Sequence, residues 1–141
     1  MKLNLSRWMI LVAGALVLGS AAFAQELNAQ AKVPFDFVLG NNVYPAGEYA
    51  VQNANPDNHL LRLRNIASSE SVLVVFQPTS LAVEAKQTQL VFHRVGNTYF
   101  LYRIRAVGST LCREFQRSHA ENQMVRNTDR ETVIIAAKLI H

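Results

Sequence analysis

Cysteine is nearly absent from this chain, with Cys112 alone among 141 residues. A lone thiol cannot close an internal bridge, so no disulfide framework holds the fold, and a buried, inert Cys112 is the expected state. The one covalent option left to it is an intermolecular disulfide with a second chain. Proline and glycine are sparse too, at four and six residues, which excludes collagen-like and low-complexity Gly/Pro architectures. Charged residues are only 17% of the chain against 50% hydrophobic, which excludes a disordered polyelectrolyte. The net charge of +4 comes without a basic cluster, so nucleic acid is not an expected partner.

Familiar catalytic signatures are missing as well. The chain has no G-x-S-x-G, no H-E-x-x-H and no glycine-rich phosphate cradle. Its four histidines, His59, His93, His119 and His141, are scattered without metal-ligand spacing, so neither a metal nor another cofactor is expected. Asp36, Glu48 and Glu114 are the carboxylates in or beside ordered segments, and nothing in their spacing pairs them for acid–base work. Cys112 and His119 lie seven residues apart. On one helix that is about 10 Å along the axis, too far for a nucleophile and its base.

What is present starts at the N-terminus. Lys2 and Arg7 precede an uncharged run from Trp8 to Leu18, and Ala22-Phe23-Ala24 follows. A positive start, a short apolar middle and an A-x-A end predict a signal peptide over residues 1–24, cut between Ala24 and Gln25. The expected location is therefore periplasmic or extracellular. No later run approaches the roughly 20 apolar residues of a membrane-spanning helix. Residues 25–141 suffice for a single domain with a core.

Residues 25–32 are polar and read as a flexible N-terminal arm, with one β domain over 33–141. Val33, Phe35, Phe37 and Leu39 alternate with polar or small positions, the period of a half-buried strand. Turn residues at Gly40-Asn41-Asn42 and Pro45-Ala46-Gly47 lead to a strand over 48–52 with Tyr49 and Val51 on one face. Leu61 and Leu63 alternate with Arg62 and Arg64, and Val72, Val74 and Phe76 mark a further strand. Residues 78–87 read as a surface loop. Gly96-Asn97 joins two alternating runs, 88–95 and 98–106, in the two-residue connection that suits strand twist. In unbroken alternation the second run has Tyr99, Leu101, Arg103 and Arg105 on one face and Phe100, Tyr102, Ile104 and Ala106 on the buried one. Residues 112–126 lack glycine and proline and predict a short helix. The apolar segment 132–137 predicts a last strand at a central position. The whole is an all-β fold, an antiparallel sandwich or small barrel of about seven strands with one short helix before the last.

Val33-Pro34-Phe35-Asp36-Phe37, Pro45-Ala46-Gly47-Glu48-Tyr49 and Leu90-Val91-Phe92-His93-Arg94 with Tyr99-Phe100-Leu101 resemble the VPFDF, PAGEY and LVFHR…YFL patterns of a group of small exported acidobacterial-type proteins. That group has no assigned chemistry, so the resemblance implies a secreted β domain and carries over no site residues. His93-Arg94 is the part of these motifs that structure alone does not demand.

The expected function is a non-enzymatic envelope or extracellular protein that binds a partner or assembles with itself. Lysine is scarce on the predicted strands, which leaves their edges open to strand addition. The alternative is a binding module for an anionic or carbohydrate ligand, on a face made by Arg62, Arg64, His93, Tyr99, Arg103 and Arg105, where guanidinium forks grip acids and aromatic rings stack on sugars. A hydrolase with an unrecognised site comes third.

Overall fold

The structure is a computed structural model and describes residues 27–55, 57, 59–126 and 129–140. The expected signal segment and its cut at Ala24-Gln25 lie outside the described residues. Two sheets share one hydrophobic core and neither closes on itself, so the fold is an all-β sandwich and not a barrel. The first sheet runs β12 (Lys138–Leu139), β1 (Asn28–Val33), β4 (Gly47–Asn55), β5 (Leu60–Asn65), β6 (Ser71–Val75). The second runs β11 (Arg130–Ala136), β8 (Gln89–Val95), β9 (Thr98–Arg105), β10 (Leu111–Glu114), β7 (Gln77–Ser80). Two further strands, β2 (Phe37–Leu39) and β3 (Asn42–Tyr44), extend the second sheet from β9. The β2–β9 pairing is parallel, and the others are antiparallel. Helix α1 (His119–Val125) precedes β11.

Alternation places the core as expected in β4 and β5. Tyr49, Val51, Leu61 and Leu63 are buried between the sheets, while Arg62 and Arg64 are exposed on the outer side. The predicted hairpin is β8–β9, with Gly96 at φ +62° in its turn. A Cβ on Gly96 would meet nothing within 4 Å, so the cost of a side chain there is conformational alone. Gly96→Val is expected to destabilise by about 1–2 kcal/mol, the penalty of a left-handed residue, read as a fall in the urea midpoint.

Five expectations are corrected. The expected surface loop 78–87 begins in a strand, β7, which β10 holds by antiparallel pairing. The segment expected as a flexible arm supplies β1, paired to β4 on one side and β12 on the other, with Leu27, Ala29, Ala31 and Val33 buried. The expected strand 33–39 divides around Pro34, which has no N–H to donate: β1 ends at Val33 in one sheet and β2 begins at Phe37 in the other. The expected helix 112–126 is a strand, β10, followed by α1. The last apolar strand, β11, is an edge and not central. Its Val133 and Ile135 pack on the core, while Ile134 between them is 49% exposed. The chain then crosses to the first sheet, where β12 pairs with β1.

Candidate functional site

A β-bulge decides which side chains share a face. Leu90 pairs with Ile104 and Val91 with Arg103, but Phe92 pairs with Leu101, so Tyr102 is the extra residue on β9. The extra residue reverses the alternation. Tyr99, Leu101, Ile104 and Ala106 therefore belong to the inter-sheet core. Phe100, Arg103 and Arg105 turn to the outer face of the second sheet, which Val91, His93 and Val95 of β8 share. The expected split of β9 into a Tyr99/Leu101/Arg103/Arg105 face and a Phe100/Tyr102/Ile104/Ala106 face is corrected accordingly.

Helix α1 packs on β8 and covers part of this outer face. Val91, Val95 and Phe100 are buried there, outside the inter-sheet cluster. The helix starts where Ser118-His119-Ala120-Glu121 supplies an N-cap, the Ser118 hydroxyl accepting from the Glu121 N–H at 3.1 Å. The Glu121 carboxylate turns inward, 2.8 Å from His93 Nδ1, with both residues buried and Arg130 Nε 3.7 Å away. Burial pushes the His93 imidazole below its ordinary 6.5, Glu121 opposes that shift, and Arg130 and Arg117 add to it. The neutral ring then donates Nδ1–H to the carboxylate. Its plane stacks on Tyr102 at 4.0 Å between centroids. The Tyr102 hydroxyl in turn accepts from Arg103 at 2.8 Å, and Arg103 pairs with Glu114 at 3.0 Å. A polar chain thus runs from Arg130 through Glu121, His93, Tyr102 and Arg103 to Glu114.

Chemically this chain is a clamp joining α1, β8, β9 and β10. It brings His93 and Arg103 together, with Arg105 one step along the same face. Arg105 Nε and Arg103 Nε are both buried without a hydrogen-bond partner. Arg62 and Arg64 stand on the outer face of the opposite sheet, across the core. Tyr99 lies on the inner side, stacked on Phe35 at 3.7 Å, so the six candidate ligand-binding residues do not form one surface. Asp36 accepts the Ala46 N–H in a turn, and Glu114 is held by Arg103. Cys112 is buried on β10 with Sγ 3.4 Å from the Thr79 carbonyl. A bridge to a second chain would require this buried thiol to become accessible. Among the described residues no three His, Cys, Asp or Glu side chains gather to hold a metal, and no helix is long and apolar enough to cross a membrane.

Two features had no counterpart in the expected sites. At one corner the inter-sheet core opens into a cleft of about 350 Å³, lined by Tyr44, Pro45, Tyr49, Leu63, Asn65, Glu70, Ser71 and Val72. Beside it runs β6, an edge strand whose Leu73 and Val75 are 54% and 64% exposed. In comparisons with known proteins the chain matches no family model, no curated protein and no solved structure.

Proposed function

We propose that this is an exported, non-enzymatic β-sandwich protein of the cell envelope or extracellular space that self-associates through the free edge of β6. The observation that carries the reading is the composition of that edge. Exposed edges ordinarily carry charged side chains, lysine above all, proline or a bulge, or are kept very short. The other edges each carry such a device: β7 contains Pro78, β12 has two residues including Lys138, β3 has three, and β11 opens with the charged pair Arg130-Glu131 ahead of its apolar run. Ser71-Val72-Leu73-Val74-Val75 has no charge and no proline, and among the described residues it pairs with β5 alone. A second copy meeting it antiparallel about a two-fold axis brings no like charges together, the condition for a self-complementary contact. The predicted signal peptide and the resemblance to small exported proteins support the location.

The test is light scattering and negative-stain microscopy across a concentration series, with and without reductant. Reductant-insensitive oligomers are expected. Val75→Lys should weaken association by about tenfold or more, because it sets a charge on each copy's edge in a contact that otherwise has none. Its urea midpoint should stay close to that of the parent, as for other exposed positions. A strict monomer at every concentration would overturn the reading. Oligomers lost on adding reductant would transfer the contact to Cys112.

A further inference from the structure

The cleft beside β6 has the make-up of a small-ligand site. Its volume of about 350 Å³ falls within the range of small-molecule pockets. It also lies where a close-packed core would otherwise continue. Tyr49 and Leu63, both essentially inaccessible, make an apolar floor, and Tyr44 and Val72 make the walls. The rim is polar and carries one ionisable side chain, Glu70.

Three observations set the charge of a fitting ligand. First, no cation lies within ion-pair distance of Glu70 among the described residues. Arg64, on the outer face of the adjoining strand, bonds the Ser69 hydroxyl at 3.5 Å instead. Second, the Asn65 side chain is locked: its Oδ1 accepts from the Ala67 and Ser68 N–H groups at 3.0 and 3.2 Å. Third, the Tyr49 hydroxyl donates to the Pro45 carbonyl and so offers no donor to an anion. Burial raises the Tyr49 phenol above 10.0, the hydrogen bond with the Asn65 side chain opposes that shift, and the nearby Asp36 and Glu70 carboxylates add to it. The one formal charge on the cleft's lining is therefore the Glu70 carboxylate.

We propose that this cleft binds a small amphipathic cation, an ammonium group on an aromatic or short aliphatic body, with Glu70 taking the charge and Tyr44, Leu63 and Val72 the apolar part. Because Val72 faces inward and Val75 outward, occupancy of the cleft and pairing of the β6 edge are separable.

Phenethylamine is the probe, titrated into the purified chain and followed by amide NMR, with 2-phenylethanol and 3-phenylpropanoate as neutral and anionic matches. The expected result is saturable shifts at Asn65, Ser71 and Val72 for the amine, with weaker binding of both matches. Glu70→Gln, at an exposed position, should weaken the amine by about tenfold, the worth of a charge-assisted contact. Equal binding of all three probes, no saturable shift, or an amine affinity unmoved by Glu70→Gln would overturn the proposal. Repeating the titration on the Val75→Lys chain reads the cleft independently of self-association.

Discussion

Phe92→Ala is expected to lower the unfolding free energy by about 3–5 kcal/mol, the range for truncating a buried aromatic ring. Phe92 is fully buried on β8, which is hydrogen-bonded on both sides, to Val133 of β11 and Leu101 of β9. Its ring meets Phe35 edge-on at 5.0 Å and Phe37 at 5.5 Å. Phe37 in turn contacts Tyr49 of the first sheet at 5.1 Å. Removing the ring therefore opens a cavity in the aromatic cluster that joins the two sheets, in a core that relaxes only partly. At a slope near 2 kcal/mol per molar, the urea midpoint should fall by roughly 2 M. Phe92→Leu keeps most of the volume and should cost about half as much or less. A loss under about 1 kcal/mol for the alanine variant would mean that Phe92 does not face the core. Phe92 points inward by the plain alternation of β8 with Leu90, whereas its partner Leu101 does so together with Ile104 only in the register that the bulge at Tyr102 sets.

That register shows where reading the chain by alternation stops. Strands with strong apolar marks were legible: Tyr49/Val51 and Leu61/Leu63 are buried in the expected order, and Gly96-Asn97 makes the expected hairpin. The strand β1 escaped because its inward set is Leu27, Ala29, Ala31 and Val33. Alanine at two of four positions leaves a period-2 signal too weak to separate from a polar arm. The strand β10 escaped because Leu-Cys-Arg-Glu has no strand bias of its own. It is a strand because β9 and β7 offer it partners on both sides. The position of β11 was misjudged because three successive apolar residues, Val133, Ile134 and Ile135, look the same at an edge and at a sheet centre.

The site was legible only in part, for the same reason. Tyr99-Phe100-Leu101-Tyr102 has large apolar side chains at consecutive positions, so either face reads as buried and the slip at Tyr102 leaves no mark. Once it occurs, Tyr99 enters the core, while Arg103 and Arg105 share an outer face with His93. Separation of Arg62 and Arg64 from them is a fact of sheet assignment, which local pattern does not encode. Glu121 was missed, although Ser118-x-x-Glu121 is a capping-box spacing that marks the helix start. Its carboxylate serves His93 in place of the cap. The cleft arises from four separate strands and two turns, and no contiguous motif announces it.

The His93–Glu121 pair should produce the second large effect, and it has a pH signature. His93→Leu leaves the Glu121 carboxylate buried with Arg130 3.7 Å away as its remaining charged neighbour. Glu121→Leu leaves the imidazole without its acceptor. Each is expected to cost about 3 kcal/mol, since stranding one member of a buried polar pair carries its desolvation. The double variant should cost clearly less than the sum, with a coupling of about 1.5 kcal/mol or more in a double-mutant cycle. Additive losses would mean that the two side chains do not interact. The pH dependence follows from burial, which holds His93 below 6.5 in the folded chain. Between the folded and unfolded values the unfolded chain binds more protons, so stability rises with pH. The contribution is complete above about 6.5, the ordinary histidine value, and is lost as pH falls through the folded value. Urea midpoints between roughly pH 7.5 and 5.5 should therefore decline for the parent chain and decline less for His93→Leu. A parent that gains stability over that interval would show the imidazole to be held protonated by Glu121. The clamp between α1 and β8 would then be an ion pair, where burial and the neighbouring arginines Arg117 and Arg130 favour a neutral donor.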